Sequence, residues 1–380
     1  MRILIITNSY RPVIGGIETS IILFRRGLIE AGHEVHIIAP EYHDYEDDEP
    51  YVFRVPSFQL PRQIVDASVA MASKNDLEKL VRGIRPDLIH TQHPFLIGSM
   101  GADVANELGI PLVYTFHTRY DTYAENYVPI PLASDLANLV LDEISGRYLD
   151  KCTCVVAPTP SIRDYIRDTY SLDAQVAVVP TPVDLSAYTD LHPMQIREKL
   201  GVENAELLLF IGRFAPEKNL GFLLEAFAQI AANRPRARLV LVGKGQEEDK
   251  LYRTVQQLHL GDRVIFVGPV THDEVPHYAA AADLFVFSST METQGLVLVE
   301  AMAAGTPVVA VKTPGPADVL ANGGGILVPQ QETAFADTVS NLLADQDRYH
   351  GMCIEAKQAA ERYSIAATTE RLVAVYQACL

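Results

Sequence analysis

Short β-branched runs alternate with helix-period segments along the whole chain, and the pattern starts afresh after a proline-rich break at 179–184. Before the break the runs lie at 3–7, 35–39, 51–55, 88–91, 112–116, 155–157 and 176–179. After it they lie at 207–211, 239–242, 264–267, 284–287, 308–311 and 326–328. Several are continuously apolar, as parallel strands covered on both faces should be. Between the first two runs, 16–30 reads as a helix with Ile21, Ile22, Leu28 and Ile29 on its buried face, and Gly32 stands where a left-handed cap would end it. Strand, glycine turn, helix, strand is a βαβ unit. In the second half 220–232 repeats the theme with Leu223, Leu224, Phe227 and Ile230 facing inward. A chain of 380 residues exceeds the usual size of one core, so two α/β domains are expected, 1–184 and 185–363. Such folds bind ligands outside the carboxyl ends of their strands, which places the chemistry in a cleft between two facing halves.

Charge narrows the partners. The formal net charge is −17, and phosphate-backbone binding needs a dense basic surface, so nucleic acid is excluded as the main partner. Residues 1–185 hold 15 Lys and Arg against 25 Asp and Glu, the remainder 16 against 23, so any anion site must be local. The acidic stretch 44–49 reads as a solvated loop rather than a metal site. Cys152, Cys154, Cys353 and Cys379 have no metal-type spacing and read as small buried hydrophobes in a reducing compartment. The first sixteen residues are apolar for too short a stretch to span a membrane and lack a signal-peptide cleavage pattern, so cytoplasmic residence is expected.

A diphosphate needs backbone N–H groups aimed at it, close backbone approach and fixed cations. Gly15 and Gly16 sit between the first strand and the first helix, where a glycine turn serves either a phosphate or the fold alone. Arg213 and Lys218 follow the strand 207–211 and project from its carboxyl end. One fork-shaped and one point-like cation suit a pyrophosphate, and equally a surface pair on Glu217 or solvent. The segment 292–309 is the most informative. Glu292 precedes a helix opened by Gly295, and Glu300 lies one and a half turns inside it. Two carboxylates around an anion site make sense as acceptors of sugar and ribose hydroxyls; the plain alternative is helix-terminus stabilisation by Glu292 and solvent exposure of Glu300.

Glu292 and Glu300, in the context Gly295-Leu-x-x-x-Glu-Ala-Met-Ala-x-Gly-x-Pro-Val-Val309, resemble the signature of glycosyltransferase family 4. Gly15-Gly16, Thr115-Phe-His-Thr118, and Arg213 with Lys218 match its other landmarks in the right order, over nearly the whole chain. The resemblance implies a GT-B fold: two Rossmann-like, doubly wound parallel-sheet domains facing across a cleft, with a last helix at about 364–380 packed back on the first. It also implies a nucleotide-diphosphate sugar donor, retention of anomeric configuration, and no metal or other cofactor. By the same resemblance Arg213 and Lys218 neutralise the leaving pyrophosphate, with the backbone at Gly15 and Gly16 helping. Glu292 holds sugar hydroxyls, Thr293, Gln294, Gly295 and Leu296 line the donor, Glu300 binds the ribose, and Val270 lies against the base. His117 corresponds to a family histidine close to the reacting sugar.

Segment 116–127 and Glu292-Thr-Gln-Gly295 are most similar to the diacylglycerol glucosyltransferase branch, which implies UDP-glucose as donor and a lipid acceptor. Glu18, Arg119, Tyr120, Tyr123 and Tyr127 are then the acceptor-side candidates, with peripheral contact at the inner face of the membrane. One feature departs from that branch. Segment 61–86 holds Arg62, Lys74, Lys79, Arg82 and Arg85 against Asp66, Asp76 and Glu78, a thin basic excess for an anionic membrane. A soluble acceptor or a mannosyl donor therefore stays open, as do a sugar-nucleotide epimerase and a non-catalytic sugar-nucleotide-binding protein of the same fold.

Overall fold

The computed structural model describes residues 1–13, 15–59, 68–119, 131–170, 172 and 174–380, with the backbone alone for 131–139. The chain divides into two compact units, Met1–Pro182 with Ile365–Leu380, and Val183–Ser364.

In the first unit the strands are Arg2–Ile6 (β1), Glu34–Pro40 (β2), Val52–Val55 (β3), Ser57–Gln59 (β4), Ser68–Ala70 (β5), Leu88–Thr91 (β6), Leu112–Thr115 (β7), Cys154–Ala157 (β8) and Gln175–Val178 (β9). Seven of them form a parallel sheet in the order β3-β2-β1-β6-β7-β8-β9, and β4 with β5 makes a small antiparallel pair that the sequence pattern does not announce. Successive side chains of a strand point to opposite faces. Leu4 and Ile6 of β1 therefore join one core with Ile89, Leu112 and Val155, while Ile3 and Ile5 join the other with Ile37, Val113 and Val156. Covering both faces is why these strands read as unbroken apolar runs.

Helix Gly16–Glu30 packs on the second of those faces beside the C-terminal helix Ile365–Cys379, whose Leu372 and Tyr376 are fully buried in the same core. The Tyr376 hydroxyl lies 2.6 Å from Nδ1 of the buried His90 on β6, so the returning helix is held by a hydrogen bond as well as by area. Three expectations change. Ile29 is 46% exposed, because it sits a full 100° around the helix from the buried Leu28. Cys152 and Cys154 are buried as expected, but Cys353 and Cys379 are only half-buried. The stretch 44–49 is not simply solvated: Asp47 takes both arms of Arg54 at 2.6 and 2.7 Å, and Glu49 accepts from the Tyr10 hydroxyl at 2.7 Å while pairing with Arg25.

In the second unit Glu206–Ile211 (β10), Ala237–Val242 (β11), Val264–Gly268 (β12), Leu284–Phe287 (β13), Val308–Val311 (β14) and Gly325–Val328 (β15) form a parallel sheet in the order β12-β11-β10-β13-β14-β15. The strand order reverses at β1/β6 in the first unit and at β10/β13 in the second. At such a reversal the two connecting chains leave in opposite directions and open a crevice at the carboxyl ends. Each unit thus has its own binding crevice by topology alone. Among the described residues no helix is long and apolar enough to cross a membrane.

Leu372 has no exposed surface, so Leu372→Ala removes packing on the core that ties the C-terminal helix to the first unit. The expected cost is about 2–5 kcal/mol. Urea unfolding that shifts by less than about 0.5 kcal/mol would show that the helix is only loosely docked.

Candidate active site

The second unit brings the polar signature together at its reversal. The loop after β10 carries Arg213, a short turn Pro216–Lys218 and Asn219; the loop after β13 carries Ser288 to Gly295. Hydroxyls stitch the two loops. Ser288 Oγ donates to the Lys218 carbonyl at 2.8 Å, and Ser289 Oγ to the Glu217 carbonyl at 3.1 Å. Thr290 donates to that same Glu217 oxygen through its N–H at 2.9 Å and its hydroxyl at 3.2 Å.

That stitching sets the ion pairs. Lys218 Nζ lies 2.5 Å from Glu292 Oε1, with the two side chains only 18% and 13% exposed. A pair so well shielded is screened little by salt and holds both groups in register. Arg213 Nη2 lies 3.1 Å from Glu217 Oε1; the guanidinium is well exposed and the carboxylate is not. Glu217 Oε2 is buried without a hydrogen-bond partner. Both cations named in the sequence are therefore at the crevice, each matched to a carboxylate. The Arg213–Glu217 contact is the surface pair that the residues alone left open, and it leaves the outer side of the guanidinium accessible.

Gly295 has φ +83°, a conformation that costs a residue with a side chain, and it turns the chain directly into helix Leu296–Ala303. The first N–H groups of that helix have no partner within it and point toward the crevice end. Gln294 is buried and Thr293 half-buried beside them. Glu300 is buried rather than solvent-exposed. Burial pushes its carboxyl above the ordinary carboxylate range, and nearby His272 only partly opposes this. The same carboxylate, after burial itself, pushes the Tyr188 hydroxyl up. A buried carboxyl raised in this way can be satisfied by hydrogen-bond donors brought to it. Val270 follows β12 and packs, partly buried, against the same unit's core.

In the first unit Gly15 caps helix Gly16–Glu30 in extended geometry with no side-chain cap. Glu18 is buried and folds back so that its Oε2 is 2.6 Å from where a Cβ on Gly15 would sit. His117 follows β7, with Nε2 2.7 Å from Oε1 of Gln92 after β6. Burial, reinforced by neighbouring His93 and His90, pushes its imidazole down to about 3, so the ring is neutral in the working range. Arg119 sets its guanidinium 4.2 Å from the centre of the Tyr165 ring, a cation–π contact. Tyr120, Tyr123 and Tyr127 lie outside the described residues, as do Arg62 and Asp66. In the remainder of the basic segment Lys74 pairs with Glu107, Lys79 with Asp76 and Arg82 with Glu78.

Residues 14–187 match the family model for Glycosyltransferase Family 4, and residues 194–359 that for Glycosyl transferases group 1. The chain is 32% identical over 320 residues to an alpha-monoglucosyldiacylglycerol synthase of Acholeplasma laidlawii, covering 81% of this chain and 80% of that one. It is a family 4 glycosyltransferase. A GDP-mannose-dependent alpha-mannosyltransferase of Mycobacterium tuberculosis is 28% identical over 363 residues, 92% of this chain and 90% of that one. HepE from Anabaena, solved in complex with UDP, superposes with a TM-score of 0.79 at 21% identity over 100% of both chains. The fold is GT-B, and the glycosyltransferase is a hexosyltransferase that uses a nucleotide sugar.

Sequence reasoning named the charged groups of this glycosyltransferase and missed what holds them. Ser289, Thr290 and Gly315 carry no motif-level signal of their own, whereas Glu217 is a partner the sequence left open. A Cβ on Gly315 would lie 2.8 Å from the Glu292 carbonyl oxygen and 2.9 Å from the Glu292 Cβ, so the carboxylate's backbone rests directly on that glycine. Gly315→Ala is expected to displace Glu292 by a fraction of an ångström and to lower kcat/KM about 10–100-fold while the fold persists. Steady-state kinetics beside a thermal melt checks this; wild-type kinetics would mean that Glu292 does not depend on the contact.

Proposed function

We propose that the protein is a retaining glucosyltransferase that moves glucose from UDP-glucose to the free hydroxyl of a diacylglycerol-type lipid. The observation that carries the donor half is the Lys218–Glu292 pair with Arg213 beside it at the β10/β13 reversal. A diphosphate brings two negative charges and several acceptor oxygens, which suits one fork-shaped and one point-like cation. In this reading the phosphates take over Lys218, and Glu292 is released to accept from the sugar's hydroxyls. The helix N-terminus at Leu296 adds N–H donors, Glu300 receives the ribose, and Val270 lies against the base. Gly15 and Gly16 bring backbone to the phosphates, and Thr293 and Gln294 shape the sugar pocket. The two cations supply the charge stabilisation that a metal brings elsewhere, so a metal-free reaction is proposed.

His117 is assigned to the reacting sugar as a neutral hydrogen-bonding group, and Glu18 and Arg119 to the acceptor. Retention and the glucosyl donor are supported by the motif pattern and by the name of the Acholeplasma relative. A second reading, transfer to a soluble hydroxyl, is favoured by the pairing of Lys74, Lys79 and Arg82 with carboxylates, which among the described residues of that segment leaves little free positive charge for an anionic surface. A GDP-mannose donor is the corresponding alternative on the donor side.

Offering UDP-, GDP- and ADP-sugars with diacylglycerol in vesicles or with soluble polyols, and reading products by mass spectrometry, separates these. The expected product is a monoglucosyl lipid from UDP-glucose, unaffected by a chelator. Consumption of soluble acceptors alone would remove the lipid from the proposal, and a new epimer formed without any acceptor would remove transfer itself. Lys218→Ala is expected to lower kcat by about 10²–10³.

Glu300 adds a pH signature. Hydroxyl donors favour the charged carboxylate, so binding UDP-glucose is expected to lower a carboxyl that burial had raised, with protons released in the pH range between its unbound and bound values. Affinity therefore rises as pH climbs through the raised range. Calorimetry in two buffers of different ionisation enthalpy should detect that proton, and Glu300→Gln should abolish it; a proton released equally by the variant would assign it elsewhere.

A further inference from the structure

His117 is seated from two directions. Its backbone N–H donates to the Thr115 carbonyl at 3.1 Å, and Thr115 Oγ1 is 2.7 Å from Nε2 of His90. His90 in turn meets the Tyr376 hydroxyl, so the strand end that carries His117 is braced by a buried chain of polar groups reaching the C-terminal helix. The ring itself is held by Gln92, whose side chain is buried and whose backbone N–H donates to the Ile6 carbonyl at 3.1 Å. Gln92 is thereby tied to β1 on one side and to His117 on the other, across three adjacent strands, β1, β6 and β7.

An amide oxygen carries lone pairs and no proton. A ring nitrogen 2.7 Å from it must be the donor, and a neutral imidazole has only one N–H to give. We propose that Gln92 is a positioning residue that fixes His117 as the Nε2–H tautomer, so that Nδ1 is kept as a hydrogen-bond acceptor for a hydroxyl of the sugar or of the incoming acceptor. The second half rests on the reading of His117 as the group that meets the reacting sugar; the tautomer does not.

The surroundings support a fixed neutral ring. Among the described residues, the titratable groups that bear on it are His93 and His90, themselves pushed down to about 4 and about 3 by burial. His93 has its own partners: its Nδ1 accepts from the Asn8 N–H at 3.3 Å and lies 3.4 Å from Thr7 Oγ1. The guanidinium of Arg119, two residues along, lies over Tyr165. None of these described groups carries the negative charge that would draw a second proton onto the ring. With its one proton on the nitrogen that faces Gln92, a neutral imidazole carries a lone pair and no proton on Nδ1.

Long-range proton–nitrogen spectra of the full chain labelled in histidine read which ring nitrogen carries the proton, with the His117 signal assigned by its loss in His117→Asn. The expected spectrum has His117 protonated at Nε2. Gln92→Leu is expected to move it toward a mixture of tautomers and to lower kcat about 10–100-fold with little change in donor KM. Gln92→Glu keeps an acceptor oxygen in place, so it should retain the Nε2–H form and most of the neutral-pH rate. Its negative charge should also raise the His117 titration, moving the acid limb of the rate profile up by about 1–3 units. A wild-type His117 protonated at Nδ1, or a tautomer indifferent to Gln92→Leu, overturns the proposal, and the wild-type spectrum decides even if that variant does not fold. A tautomer that shifts while kcat stays constant overturns the substrate half and points to a fault in the assignment of His117, not in that of Gln92.

Discussion

Parallel strands cannot be joined by tight turns; each must be followed by a crossover that returns the chain to the starting edge. That constraint organises the whole molecule. It sends every loop that follows a strand to one edge of its sheet, and it makes the reversals at β1/β6 and β10/β13 the places where two such loops diverge. The glycine turn at Gly15, the bond between Gln92 and His117, and the stitched loops that hold Lys218 and Glu292 all fall at these reversals. The candidate site sits where the topology leaves room for it, and the fully buried strands supply the rigidity beneath it.

Electrostatics then divides the labour. The chain is strongly acidic, yet the crevice of the second unit gathers Arg213 and Lys218. Each cation is answered by a carboxylate, Glu217 for Arg213 and Glu292 for Lys218. Pairing avoids leaving a shielded charge without a partner and holds both cations in fixed places at the crevice, which is what the proposed diphosphate site requires. Glu300 shows the converse arrangement. Its carboxyl is buried with no full counter-charge, which raises its pKa and makes it responsive to a ligand that donates hydrogen bonds.

Much of the fold was legible in the residues because it is written in local signals. Helix Gly16–Glu30 begins and ends where the glycine pattern placed it, and the apolar runs became strands. The errors have physical causes. Ile29 is apolar and in period, but a helix has more apolar positions than its buried face can cover, and packing decides which one is left out. Asp47 and Glu49 looked solvated because Arg54 and Arg25, which capture them, come from another strand and another helix. At the candidate site, Arg213, Lys218, Glu292 and Glu300 carry motif-level patterns. Their supports do not: Lys218 and Glu292 are 74 positions apart, and a serine or threonine that donates to a distant carbonyl has no local signature. Gly315 and Gln92 act through a contact each, visible only once the chain is folded.

In the proposed reaction the diphosphate of the sugar nucleotide takes over the cations of the second unit. A crystal structure of the protein with UDP bound decides this. Phosphate oxygens should lie within hydrogen-bond distance of Arg213 and Lys218, with the Lys218–Glu292 contact opened and the ribose hydroxyls on Glu300. Phosphates seated away from those two cations, with Lys218 still on Glu292, would contradict it.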